Sequence, residues 1–174
     1  YDVRNLLTLI DYPTGTDTSF SYDAASRKTG MTDTTGTTSY SYNARNEVIS
    51  VAGPTGKTVS YSYDNVAGRR LTMALSTYGT WSYLYDNGGR LNSVTNPTTE
   101  STSYTYNRNS LPTLVTNGNG TRAEYAYNAR NWLTSLTNKD SSLNVLSRFS
   151  YTHDNLGNRT RMTENNGDYT DYSY

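Results

Sequence analysis

An all-β fold is predicted: tandem β-hairpins forming one coiled, spiralling antiparallel sheet, a segment of a shell or tube. Three observations predict it. Aromatic residues recur in pairs spaced by two, Ser or Thr brackets most pairs, and Asx- and Gly-rich turns return the whole phrase about every 21 residues, as in SYSYNARNEV (Ser39–Val48).

The first strand of each repeat ends on an anchor aromatic followed by Asp or Asn. The anchors are Tyr1, Tyr22, Tyr42, Tyr63, Tyr85, Tyr106, Tyr127, His153 and, by spacing, Tyr174. Two residues earlier stands a second ring, as in Phe20/Tyr22, Tyr40/Tyr42, Tyr61/Tyr63, Tyr83/Tyr85, Tyr104/Tyr106 and Tyr125/Tyr127, with Tyr151/His153 the variant. A spacing of two puts both rings on one face of a strand. Ser39 and Ser41, Ser60 and Ser62, Ser103 and Thr105 then occupy the other face. A helix would scatter the two residue types around its circumference, so helix is rejected.

The first turn follows the anchor in runs such as NGG, NLGN or ARN, where Asx side chains bond locally to backbone and Gly tolerates positive φ. The second strand carries an apolar residue about nine positions past the anchor: Ile10, Met31, Val51, Met73, Val94, Val115, Leu136 and Met162. Another apolar residue precedes it by two or three, as at Leu7, Val48, Leu71, Leu91 and Leu133. A gap of three cannot keep both side chains on one face of a regular strand, so a β-bulge or burial on both faces is expected there. The second turn is marked by PTG (Pro54–Gly56), NGNG (Asn117–Gly120) and NNG (Asn165–Gly167).

Anchor intervals of 21, 20, 21, 22, 21, 21, 26 and 21 residues divide the chain into a single array of eight units. They run approximately 1–21, 22–41, 42–62, 63–84, 85–105, 106–126, 127–152 and 153–173, the seventh lengthened around KDSSLNVLS (Lys139–Ser147). Two strands per unit make about 16, a ribbon of roughly 75 Å at ~4.8 Å spacing. Twisted open sheets rarely exceed ~10 strands without curling, so the ribbon is expected to coil. No unit resembles a solenoid cap, and an excerpt of a longer array is expected.

Leu, Ile, Val and Phe together supply only 26 of 174 residues, which would signal disorder if a large net charge accompanied it. Fifteen basic and fifteen acidic residues cancel, and 18 tyrosines replace the missing apolar area. Zero net charge speaks against nucleic acid or an anionic membrane as partner. No apolar run approaches the ~20 residues of a spanning helix, so membrane insertion is not expected. Cysteine is absent, removing disulfides and thiolate sites.

YDNGGRLNSVTN (Tyr85–Asn96), YNARNWLTSLTN (Tyr127–Asn138) and HDNLGNRTRMTE (His153–Glu164) resemble the YD repeats of the RHS (rearrangement hotspot) family, and the resemblance covers essentially the whole chain. It departs where Asn replaces Asp (Asn43, Asn107, Asn128) and where the Gly-Arg step is lost, as in YNARNEV. The resemblance implies hairpins wound into a large hollow shell. Bacterial members are secreted toxins or toxin carriers whose shell encloses a C-terminal effector, and animal relatives are cell-surface adhesion proteins. The family's self-cleaving core ends in Asp-Pro, a dipeptide missing here, so neither that protease nor the effector is assigned to this segment.

A non-catalytic structural segment of a secreted or surface-attached, bacterial protein is therefore expected, building a shell or a self-assembling filament. Expected partners are further copies of the same repeats, an encapsulated effector, or surface glycans. No catalytic, cofactor or metal site is expected. His153, the only histidine, reads as an aromatic substitute at an anchor, and the Asp86 and Asp154 loops read as turns, lacking the spaced carboxylates of a calcium loop. The alternative is a carbohydrate-binding adhesion module in which the tyrosine ladder stacks on sugars, with Trp81 and Trp132 as the best contact candidates. Arg4, Arg27, Arg45, Arg69, Arg70, Arg90, Arg108 and Arg130 often follow an anchor by three to six residues. They read either as partners of the anchor Asp residues or, preferably, as a solvated ladder that discourages edge-to-edge pairing.

Overall fold

The computed structural model describes residues 1–174, which form sixteen strands joined by turns, with no helix. The chain divides into two compact units, Tyr1–Ser82 and Tyr83–Tyr174. The first holds β1 (Leu9–Ile10), β2 (Thr18–Tyr22), β3 (Lys28–Asp33), β4 (Gly36–Tyr42), β5 (Val48–Ala52), β6 (Thr58–Tyr63), β7 (Arg70–Leu75) and most of β8 (Gly79–Tyr85). The second holds β9 (Leu91–Thr95), β10 (Ser101–Tyr106), β11 (Pro112–Thr116), β12 (Arg122–Tyr127), β13 (Leu133–Lys139), β14 (Val145–His153), β15 (Arg159–Glu164) and β16 (Tyr169–Asp171). Strand order follows chain order from β1 to β16, an open antiparallel sheet without crossovers.

The alternation predicted from the repeat is clear in β2, β4 and β14 and fades in β12, where Arg122 to Tyr125 are all half-buried. In β4, Tyr40 and Tyr42 are half-buried while Ser39 and Ser41 are exposed. The apolar residue of the second strand sits directly opposite the pre-anchor ring: Phe20 faces Met31, Tyr40 Val51, Tyr61 Met73, Tyr104 Val115, Tyr125 Leu136 and Tyr151 Met162. Cross-strand pairs of this kind each contribute roughly 0.2–1 kcal/mol.

The expected bulge is present, and its placement explains the three-residue gap. Tyr42 pairs with Val48 while Ser41 pairs with Ser50, which leaves Ile49 as the extra residue. Val48 and Val51 thereby share the aromatic face although three positions apart. Thr29, Leu71, Thr113, Thr134 and Thr160 hold the same bulge position in other repeats. Where the bulged residue is Thr, its hydroxyl can meet that of the outer-face residue before the anchor: Thr29 with Ser21 at 3.1 Å, Thr113 with Thr105 at 3.0 Å, Thr160 with Thr152 at 2.9 Å. Leu71 is thus not an inward apolar position. It is 38% exposed, and Arg70 takes the place opposite the anchor Tyr63.

One loop design serves the turns after the anchors and several turns at the opposite ends, the tighter β3–β4 and β7–β8 turns excepted. After the anchor, the Asp23 Oδ1 accepts the N–H groups of Ala25 and Arg27 at 2.9 and 3.0 Å, and the Asp23 N–H donates to the Arg27 carbonyl. The fourth loop residue adopts positive φ, a role taken by Asn5, Ser26, Asn46, Ser110 and Asn131. At the opposite end, Asn96 Oδ1 accepts from Thr98 and Glu100 at 3.0 and 2.9 Å, with Thr99 at φ 69°. Asn and Asp shape these turns because a short side-chain acceptor closes the loop that backbone alone leaves open.

No apolar side chain is buried, and each strand contacts only its neighbours in sequence. Within each unit the sheet is a single layer whose aromatic face has no second layer of this chain over it. Cohesion therefore rests on strand pairing and on what one repeat does to the next.

Candidate functional site: the seams between repeats

Two seams join successive repeats. The first is built by the anchors. Tyr22 donates its hydroxyl to the Leu7 carbonyl at 2.9 Å, Tyr42 to Lys28 at 2.7 Å, Tyr63 to Val48 at 2.7 Å and Tyr106 to Leu91 at 2.8 Å. Lys28 and Val48 are themselves paired with Tyr22 and Tyr42. Each phenol thus reaches back one repeat, for Tyr42 and Tyr63 to the residue opposite the previous anchor, where the bulge has interrupted the ladder. A carbonyl at a bulge is short of a regular partner, and an unpaired half-buried acceptor is costly. A ring long enough to reach the neighbouring strand and carrying a donor at its tip is a tyrosine.

The second seam lies along the post-anchor turns. Asp23 holds Arg27 at 2.6 Å, and the Arg27 guanidinium donates onward to the Asn43 carbonyl at 3.1 Å and to Asn46 Oδ1 at 2.8 Å in the next turn. The same guanidinium lies 4.8 Å over the ring of Tyr42. Arg90 repeats the arrangement: Asp86 at 2.7 Å, the Asn107 carbonyl at 3.0 Å and the Tyr106 ring at 4.8 Å. Arg4 bridges Asp2 to the Asp23 carbonyl, at 2.8 and 2.5 Å. Arg69 pairs with Asp64 at 2.5 Å. Of the two readings of the arginine row, Arg4, Arg27, Arg69 and Arg90 realise the pairing with the Asp that follows the anchor, and Arg4, Arg27 and Arg90 also brace the following turn. Arg108 makes no such contact.

Repeats without the Gly-Arg step keep the brace by moving its parts. In YNARNEV the acid shifts to Glu47 and the base to Arg45, which pair at 3.1 Å, while Asn46 takes the positive-φ position at 64°. Arg45 still donates to the next turn, at the Asp64 carbonyl. Arg130, two residues after Asn128, donates to the Asn155 carbonyl at 3.1 Å without any acid. In the turn after Tyr106 an amide takes over the link, the Asn109 side chain donating to Asn131 Oδ1 at 2.7 Å.

These contacts perturb the turn carboxylates. The Asp23 carboxyl is held below its ordinary value by the Arg27 backbone N–H and then by the Arg27 guanidinium. Asp86 is lowered first by the Arg90 side chain, and Asp154 first by Asn158. Asp64 is pushed far down, led by Arg69. Burial raises the Tyr127 phenol, with Tyr125 beside it adding to the shift.

The remaining predicted residues fall as follows. Tyr85 closes β8, Tyr127 closes β12, and Tyr1 and Tyr174 are exposed. His153 occupies its anchor position at the end of β14, and its ring lies 5.5 Å from Trp132 at a 42° tilt. Trp132 stands four residues after Asn128, where Arg27 and Arg90 stand in their turns. The arginine-over-tyrosine contact has become tryptophan against histidine. Trp132 is further enclosed by Arg130 at 5.1 Å and by Gly157 at φ 92°, where an added Cβ would lie 2.9 Å from the indole. Trp81 is half-buried in β8 opposite Met73. No group of three or more His, Cys, Asp or Glu side chains could hold a metal ion. Residues that sequence reasoning passed over are Lys28, with its acceptor carbonyl, and Arg159, which lies 5.6 Å over Tyr151 and 4.3 Å over Tyr172. A backbone carbonyl leaves no mark in a residue string, so only the regular spacing of the tyrosines hinted at it.

The Teneurin YD-shell family profile matches residues 18–138. No curated protein sequence matches the chain. Three crystal structures share its fold: TcdB2-TccC3-Cdc42, TcdB2-TccC3, and TcdB2-TccC3 without its hypervariable C-terminal region. Each superposes with a TM-score of 0.71 at 17% identity, over 90% of this chain and 10% of the other. The chain spans about a tenth of the length of those solved chains. With strand pairing, bulge and turn design all repeating in the matched region, the chain belongs to the Teneurin YD-shell family.

Proposed function

We propose that this chain is a non-catalytic wall segment of a hollow YD-repeat shell, a single array continued by further copies of the same repeats. One observation carries the reading: polar groups of successive repeats are committed to each other, the phenols of Tyr22, Tyr42, Tyr63 and Tyr106 back to a carbonyl of the preceding repeat and the guanidiniums of Arg27 and Arg90 forward to the next turn. Such a design propagates a wall and leaves its chemistry inside the seams. The protein it serves is a large bacterial one, secreted or displayed at the cell surface, whose shell encloses an effector. The sugar-platform reading gains nothing from the surroundings of the rings, since four anchor hydroxyls are already spent on carbonyls and Trp132 is enclosed by three neighbours.

The test is electron microscopy of the full reading frame, purified from the culture supernatant, with limited proteolysis alongside. Discrete hollow particles with a protease-protected C-terminal region are expected. Indefinite fibres would replace the shell with a filament, and solid particles with a freely digested C-terminus would remove encapsulation.

A further inference from the structure

The hairpin lengthened by KDSSLNVLS is the one element that the repeat does not explain. Its second strand, β14, is the longest of the protein at nine residues. Pairing with β15 begins only at Phe149, opposite Glu164, the last residue of β15. Val145, Ser147 and Arg148 pair with Lys139, Asn138 and Thr137 of β13, and the stretch Val145–Arg148 has no ladder partner on its other side. At ~3.3 Å per residue this is an open edge of roughly 13 Å. Open edges template strand addition, and proteins ordinarily blunt them with charge, Pro or brevity. Here the tip instead presents aliphatic side chains: Leu143, Val145 and Leu146 are 51%, 49% and 61% exposed.

The end of β15 and this edge enclose a notch of about 570 Å³, lined by Val145, Arg148, Ser150, Glu164 and Asn165. A second concavity of about 420 Å³ shares Val145 and Arg148 and includes Ser135 and Thr137. A bulge at Asn138/Lys139 lets Val145 and Arg148, three positions apart, line the same hollows. The cations nearby are committed, Lys139 to Glu124 at 2.7 Å and Arg161 to Asp171 at 2.5 Å. Arg148 is exposed, and its side chain makes no hydrogen bond or ion pair.

We propose that the overhanging edge of β14 docks an extended peptide of a partner protein, added as a strand over Val145–Arg148, with an acidic side chain opposite Arg148 and an apolar one against Val145. Backbone pairing supplies the attachment, and the uncommitted guanidinium selects the charge. Glu164 at the inner end of the notch selects against a run of acids, so the ligand carries one acid among neutral residues.

The test uses the whole chain and acetylated, amidated octapeptides of Thr and Val carrying a single Glu at successive positions, with matching Lys peptides. Binding is followed by fluorescence anisotropy and by hydrogen exchange. The best Glu peptide is expected to bind and to slow exchange across Val145–Arg148, with its Lys counterpart at least tenfold weaker. Arg148→Glu should invert that preference, and Leu146→Pro should abolish binding of both peptides with unchanged far-UV circular dichroism. If Leu146→Pro fails to fold, the exposed Arg148→Glu substitution decides alone. Equal binding of Glu and Lys peptides, no binding at all, or protection centred on another strand would overturn the proposal. Concentration-dependent protection of Val145–Arg148 without peptide would also overturn it, by assigning the edge to a second copy of the chain.

Discussion

Tyr42→Phe removes one hydroxyl and keeps the ring. The lost contact is the 2.7 Å bond to the Lys28 carbonyl. A hydrogen bond of this kind contributes about 0.5–1.5 kcal/mol net, and the half-buried seam admits some water, so a loss of about 1 kcal/mol is expected. Tyr22, Tyr63 and Tyr106 make equivalent bonds at 2.9, 2.7 and 2.8 Å to separate acceptors. Sites without shared partners add, so replacing all four by Phe should cost about 4 kcal/mol. For a chain of this size that lowers Tm by about 8–16 °C, taking about 2–4 °C per kcal/mol. Tyr40→Phe is the control: Tyr40 points to the same face of β4, yet its hydroxyl bonds nothing in the protein. Its loss should stay within about 0.5 kcal/mol, as for surface substitutions away from specific contacts. Urea and thermal unfolding followed by far-UV circular dichroism measure both. Equal effects at Tyr40 and Tyr42, or a fourfold variant within 1 kcal/mol of the parent (order of magnitude of one such bond), would refute the phenol seam.

Three further outcomes follow from the same geometry. Arg27→Ala should cost about 1–2 kcal/mol, because charge-assisted bonds to the next turn are lost. It should also accelerate amide exchange in residues 43–47, whereas Arg108→Ala should change neither quantity. Stability should be flat at neutral pH and fall as pH drops below about 4: the turn carboxylates have folded values below their unfolded ones, so their contribution is complete above the unfolded value and is lost as pH falls through the folded ones. Asp23→Asn should reduce that acid sensitivity while retaining the turn, as Asn43 does naturally; an unchanged acid limb in urea titrations would contradict the assignment. Gly157→Ala should destabilise more than Gly167→Ala, since both have positive φ, 92° and 94°, but only Gly157 faces an indole within 2.9 Å. Equal urea midpoints would show that the Trp132 contact is slack.

Much of the seam was legible in advance, and the reason is periodicity. Spacing of two between Tyr40 and Tyr42 forces both rings to one face of any strand, and the three-residue gap between Val48 and Val51 called for either a bulge or burial on both faces, of which the structure realises the bulge. Asx at the turns after the anchors was similarly readable, because its chemistry is local. The direction of the arginines was not. Arg27 and Arg45 stand four and two residues after their Asx, and nothing in that spacing says that both guanidiniums end on the carbonyl of the following turn. Trp132 could not be told from a ligand platform until Gly157 and His153 were found against it. Leu71 was misplaced by one position, because an apolar residue at a bulge looks the same in sequence as one facing inward.

By itself, then, the amino-acid sequence determined the strands, their faces, the turns and the order in which hairpins succeed each other. All of these depend on interactions between residues close in the chain. Only the tertiary structure decided which carbonyl each phenol takes, which turn each guanidinium braces, and that β14 outruns β15. Those outcomes depend on register between neighbouring repeats, a three-dimensional offset set jointly by bulge position and loop length, and no single repeat contains it.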